Sequence, residues 1–202
     1  MLNQFMGGGI ICTTEPLDII SEDRLLEYRR ILPVLPRQVR TVTLMQNGRF
    51  PSIVDVYIPS MDAHYICIIN WDDEESLRTT FSLEEVLPGF VMEESKYMVC
   101  DYYNQCYFSG VNCKDILELD DIAPHGANVY KITAMGNRPQ VVASTGHYSM
   151  GGEFKKLEYV DGKLLYSVEN AFDCKIMYKI WMPDDREVTL VAMKGRNEGI
   201  IK

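Results

Sequence analysis

Apolar residues recur along most of this chain with a period of two, in short runs cut off by Gly, Pro, Asn and Asp. Successive side chains of a strand point to opposite faces, so this alternation predicts half-buried strands. Residues 39–46 and 50–58 flank Asn47-Gly48, and residues 154–160 and 163–169 flank Asp161-Gly162. Both dipeptides tolerate positive φ, the condition for a tight hairpin. Further strands are predicted over residues 63–70, 79–83, 96–103, 115–122, 175–182 and 187–194. Within residues 123–153, Val129, Lys131 and Thr133 alternate with Tyr130, Ile132 and Ala134; a Gly136-Asn137 turn and a second apolar run at 141–143 follow. That order predicts a β-meander.

A helical pattern stands out once, over residues 21–33. Ser21 sits at an N-cap position, Glu22 and Asp23 complement the dipole in the first turn, and Leu25, Leu26, Ile31 and Leu32 form an apolar stripe. Pro33 and Pro36 end it. Ser82 with Glu85 three residues later predicts a capping box on a single turn that stops at Pro88-Gly89. Residues 7–12 read as a glycine-rich lead into a short apolar strand. Some ten strands and one early helix predict a mainly β protein, an antiparallel β-sandwich.

Composition narrows the partners. Twenty basic against 29 acidic residues leave a formal charge of −9 and no basic run, so repulsion from phosphate argues against nucleic acid and anionic membranes. No apolar window approaches the roughly 20 residues of a membrane span. Residues 1–12 are apolar but lack a positive n-region and a small-residue cleavage site, so no signal peptide is read. The six cysteines show no CxxC pair, which predicts reduced packing residues in a cytoplasmic protein. The spacing of Cys100, Cys106 and Cys113 does not fit the common zinc sites, and neither metal nor cofactor is expected.

Sugars bind where an aromatic face meets planar hydrogen-bonding side chains. Trp71 beside Asp72 and Asp73, and the run Asp101-Tyr102-Tyr103-Asn104-Gln105, offer that combination at loop-like positions. Trp71, Asp101, Tyr103 and Asn104 are therefore the candidate carbohydrate-binding residues; the competing reading is core aromatics beside solvated turn acids. Gly146-His147-Tyr148-Ser149-Met150-Gly151 has one residue too many for a nucleophile elbow and lies between strands. His125 is expected to hold the Pro124-His125-Gly126 turn through backbone groups, and His147 to pack on a strand.

Several of these segments share a resemblance. The Pro-His-Gly turn, the strand after it, and the Gly146-His147 strand followed by Gly151-Gly152-Glu153 resemble the C-terminal β-sandwich of the α-galactosidase (melibiase) clan of retaining glycoside hydrolases. The run YMVCDYYNQCY at 97–107 is similar to that clan's strand carrying Asp, an aromatic and Asn before a turn. GGGIICTTEP at 7–16 and SEDRLLEYRRILP at 21–33 look like the last strand and helix of its catalytic barrel. The resemblance implies a barrel remnant over residues 1–36 and a β-sandwich domain over residues 37–202. Family members use two aspartates on earlier barrel strands, so it also implies that no catalytic residue lies here. Glu15 stands where relatives often carry Asp.

The expected function is thus a non-catalytic sandwich portion of an α-galactosidase-like glycoside hydrolase, supporting a barrel absent from this chain. The alternatives are a free-standing carbohydrate-binding module and an intact small glycoside hydrolase. If the barrel is missing, an apolar patch is left over residues 1–35, which predicts self-association through that segment.

Overall fold

The computed structural model describes residues 5–6, 19–43 and 50–202. The predicted strand at 7–12, Glu15 and the Asn47-Gly48 turn lie outside the described residues. The fold is mainly β, and among the described residues every paired strand runs antiparallel. The chain forms two compact units. One holds Gly9–Leu35 and Gly136–Lys202 with Met1; the other holds Leu2–Gly8 and Pro36–Met135. No helix among the described residues is long and apolar enough to cross a membrane.

Helix α1 (Glu22–Ile31) carries Glu22 and Asp23 in its first turn and Arg29 and Arg30 in its last, matching the dipole at both ends. Ser21 holds the N-cap position, yet its side chain makes no capping bond. Of the predicted stripe, Ile31 is buried while Leu32 stays partly exposed.

Pro36–Met135 builds a six-stranded sheet from β1 (Gln38–Thr41), β2 (Ile53–Ile58), β3 (Ala63–Ile69), β5 (Tyr97–Asp101), β6 (Cys106–Val111) and β8 (Ala127–Ala134), in the order β1-β2-β3-β8-β5-β6. One face carries Ile66, Ile68, Val99, Tyr130 and Ile132 into a core shared with Phe81, Leu83, Leu87 and Leu117. Each such side chain, fully buried, contributes about 1.5–3 kcal/mol. Those partners come from a short layer: β4 (Thr80–Phe81), helix α2 (Leu83–Val86) and β7 (Leu117–Glu118). The predicted capping box is present, with Ser82 N–H donating to Glu85 Oε2 at 2.8 Å and Glu85 N–H to Ser82 Oγ at 3.3 Å. The opposite face is also buried, through Val56, Tyr65, Cys67, Met98 and Val129. Phe5 meets Tyr65 there edge to face at 5.9 Å. Phe5 and Met6 are thus covered within the single chain, which lends self-association no support.

The other unit has two three-stranded sheets, β10-β11-β14 and β13-β12-β9. They comprise β9 (Gln140–Ser144), β10 (Phe154–Val160), β11 (Lys163–Asn170), β12 (Ile176–Trp181), β13 (Glu187–Ala192) and β14 (Gly195–Ile201). Phe154 of β10 meets Tyr178 of β12 at 4.9 Å, so the sheets touch through an edge-to-face aromatic pair. The Asp161-Gly162 hairpin forms as predicted, with φ of 51° and 74° and Val160 opposite Lys163.

The predicted meander does not form. β8 pairs with β3 and β5, whereas β9 pairs with β12, so Gly136-Asn137 separates two sheets instead of closing a hairpin. Alternation fixes which face a residue takes; it does not choose the neighbouring strand.

Candidate functional site

Asp101, Tyr103 and Asn104 come together at the β5–β6 turn. Asp101 ends β5 on the core-facing side, paired across the ladder with Tyr130, and is 3% exposed. A carboxylate so deep needs donors, and the turn supplies them. Asn104 N–H donates to Asp101 Oδ1 at 3.0 Å, Asn104 Nδ2 to Oδ2 at 3.0 Å, and Asn128 Nδ2 to Oδ2 at 2.9 Å. Asn128 Nδ2 also donates to the Tyr130 hydroxyl at 2.8 Å. Burial first, and then the Asp101 charge, push the Tyr130 hydroxyl above its ordinary pKa. Asn104 Nδ2 reaches a second carboxylate as well, Asp120 Oδ2, at 2.9 Å. The Asn104 amide therefore sits between two acids and donates to both.

Tyr103 is exposed and leans edge-on against Tyr102 at 5.2 Å. Trp71 follows β3 and is 40% exposed. Its indole N–H donates to Pro51 O at 2.9 Å and its ring lies 5.1 Å from that of exposed Phe50, which fixes a small aromatic platform. Asp72 stays exposed and bonds within its own loop: its Oδ1 accepts from Glu75 N–H at 2.7 Å and Glu74 N–H at 2.8 Å, bonds that hold its carboxyl below the ordinary range. His125 takes a positive φ of 54° and donates its backbone N–H to Asp72 O, but its ring faces the Asp73 carboxylate at 3.0 Å. The expectation of a ring bonded to backbone is corrected: an acidic loop lies beside the turn, and the imidazole pairs with it.

The ladder registers place Trp71, the β5–β6 turn and the Pro-His-Gly turn at one end of the six-stranded sheet. Asn128, Tyr130 and Asp120 were not among the candidates. The available signal for Asn128 was an amide inside an otherwise apolar strand, since a buried polar side chain must find partners.

In the other unit, His147 and Ser149 form a tight local turn. Ser149 N–H donates to His147 Nδ1 at 3.0 Å and Ser149 Oγ lies 2.7 Å from the same nitrogen, while Gly152 N–H donates to Ser149 Oγ at 2.9 Å. Nδ1 accepts, so the ring proton is on Nε2. Ser149 is fully buried, which removes it as a nucleophile. His147 N–H donates to Glu153 Oε1 at 2.9 Å.

Cys67, Cys100 and Cys113 are buried, Cys106 is exposed, and all four are free thiols. Among the described residues no group of His, Cys, Asp and Glu has the geometry to hold a metal ion. No family model matches this chain, and no curated protein matches it.

Proposed function

We propose that this chain is the non-catalytic β-sandwich portion of an α-galactosidase-like glycoside hydrolase, with the strand-helix segment before Pro36 as the remnant of a catalytic barrel. The observation that carries this reading is the Asn104 amide between Asp101 and Asp120. A retaining glycosidase needs two carboxylates roughly 5 Å apart with the glycosidic oxygen between them. Here the space between the two acids is filled by an amide that donates to both, and Asp101 is buried. The motifs that carry the resemblance are occupied in the same way: Asp101, Ser149 and Glu153 build turns and present no reactive atom to a substrate. The antiparallel pairing of the strands among the described residues is in keeping with a sandwich.

The test is the size of the native product, read on an immunoblot with an antibody raised against residues 37–202. A polypeptide larger by the roughly 250 residues of a barrel is expected. A product of 23.2 kDa that hydrolyses nitrophenyl α-galactoside, and stops doing so on Asp120→Asn, would establish an intact small hydrolase instead.

One observation favours a second reading, the free-standing carbohydrate-binding module. The Phe50–Trp71 platform is exposed and held rigid by the indole bond to Pro51 O. Sugar binding by the pure chain that disappears in Trp71→Ala would establish it.

A further inference from the structure

Asp55 of β2 and His64 of β3 are diagonal neighbours on one face of the six-stranded sheet, since Asp55 pairs with Ile66 and Tyr57 with His64. The Asp55 carboxylate is buried, and Arg40 Nη2 donates to its Oδ2 at 3.3 Å and to Val86 O at 2.7 Å. A carboxylate only accepts, so His64 carries its ring proton on Nδ1 and donates it to Oδ1 at 2.9 Å and Oδ2 at 3.1 Å. The Tyr57 ring stacks on the imidazole at 4.6 Å, and the exposed Phe90 ring lies against it at 5.0 Å with the Arg40 guanidinium 5.3 Å from its centre. Hydrogen bond and rings together fix the orientation of His64.

Nε2 is the part of the imidazole left over. It makes no hydrogen bond among the described residues and is not sealed from solvent; the side chain keeps 15% exposure. With the proton on Nδ1, Nε2 bears the lone pair, as does the base of an Asp–His pair in acyl transfer. The other two histidines differ: His147 is buried, and His125 turns its Nε2 to Asp73. We infer that Asp55 and His64 form a reactive dyad that takes acyl groups from small neutral aryl esters. The exposed Phe90 ring offers the aryl group an apolar surface beside the imidazole, and the formal charge of −9 disfavours an anionic ester. Nε2 attacks the ester carbonyl carbon with its lone pair, and the aryl oxide leaves with the electron pair of the C–O bond. The acyl-imidazolium keeps its Nδ1 proton on Asp55, whose charge offsets its own. Water then adds to the acyl carbon and gives two protons to solvent; the Nε2–C bond breaks, its pair returns to Nε2, and the carboxylate departs. His64 is the catalytic residue and Asp55 a positioning residue.

The dyad concerns acyl chemistry and does not rest on the glycoside hydrolase reading, which its failure would leave untouched. Its test is hydrolysis of p-nitrophenyl acetate by the full chain at about pH 8, where imidazole is ordinarily neutral. A positioned base contributes about 10²–10⁴-fold, so a rate at least about tenfold above that of free imidazole at equal concentration is expected. His64→Gln should remove that excess. Cys106→Ser, which takes away an exposed thiol that also reacts with esters, should leave it unchanged. A rate no greater than that of imidazole, or an excess that follows Cys106 and survives in His64→Gln, would overturn the proposal. Asp55→Asn should lower kcat about tenfold or more at unchanged KM, because the charge opposite the acyl-imidazolium is gone. A raised KM at unchanged kcat would place Asp55 in the binding surface and end its positioning role. Should either variant not fold, nitrogen NMR of the wild-type chain decides. A protonated Nδ1 and a bare Nε2 on His64 are expected there, and a ring proton on Nε2 would overturn the dyad.

Discussion

Asn128 and Asp101 lie on adjacent strands of the six-stranded sheet, and the Asn128 amide donates to the buried Asp101 carboxylate at 2.9 Å. With Asn104 on the other side, the acid is held by donors from a neighbouring strand and from the turn that follows it. The β5–β6 turn is thereby tied to β8. Asp101 is a structural acid, and its substitution should register in stability.

Asp101→Ala removes the common acceptor and leaves the buried Asn128 amide nitrogen one partner short, with the Tyr130 hydroxyl as its remaining acceptor. Hydrogen bonds to charged groups are worth about 1.5–3 kcal/mol each, with partial recovery by water at the exposed Asn104. We expect a loss of about 3 kcal/mol in urea unfolding followed by circular dichroism. Asn104→Ala, where water can replace the exposed amide, should cost about 1 kcal/mol or less. Equal losses in the two variants would contradict the assignment of Asp101 as the centre of this network.

Gly146 gives a steric prediction. A Cβ there would meet Glu153 Oε1 at 2.7 Å and Ile176 Cγ2 at 2.8 Å, whereas at Gly136 nothing lies within 4 Å. Overpacking of this kind costs about 1–3 kcal/mol. Gly146→Ala should melt several degrees lower than the parent, and Gly136→Ala should match it. A neutral Gly146→Ala would mean that the β9–β10 loop is looser than the contacts imply.

The cysteines separate by access. Burial is the leading cause that pushes the Cys100 thiol up to about 12 and the Cys67 thiol higher still, so neither forms the reactive thiolate at neutral pH. Cys106 is exposed at the start of β6. Brief iodoacetamide treatment at about pH 8, read by peptide mass spectrometry, should label Cys106 while Cys67 and Cys100 react only after denaturation. Early labelling of Cys100 would show that the β5–β6 hairpin opens in the native state.

How far the sequence discloses this structure depends on the range of the interaction. Asp161-Gly162 and Ser82–Glu85 are written in a few consecutive residues, and both form as the local chemistry requires. The pairing of β8 with β3 and β5 is a choice between distant segments that all alternate similarly. β8 is also buried on both faces, with Lys131 and Thr133 inside, so its polar residues mimic a solvent side. β14 escapes the pattern because its polar, glycine-containing sequence is held by its ladder with β11. Gly199 stands opposite Tyr166, where a Cβ would lie 2.9 Å from the phenol oxygen. At the candidate site, residue types announce Asp101 and Trp71 equally, and only burial separates the turn-building acid from the exposed indole.

The last prediction concerns pH. Asp184, in the β12–β13 turn, accepts from the Tyr159 hydroxyl at 2.6 Å and from Arg186 Nε at 2.8 Å. The Tyr159 bond foremost, and then those from Arg186, hold its carboxyl below the ordinary 3.8. An acid whose folded pKa is depressed binds its proton more weakly in the folded chain than in the unfolded one. Its contribution is therefore present above the ordinary value and is lost as the pH falls through the depressed one. Asp184→Asn should melt below the parent at about pH 6, and the gap should narrow as the pH falls below the ordinary 3.8 and through the depressed value. A gap of constant size across that range would show that Asp184 acts through shape alone, and that its charge does not hold the turn to β10.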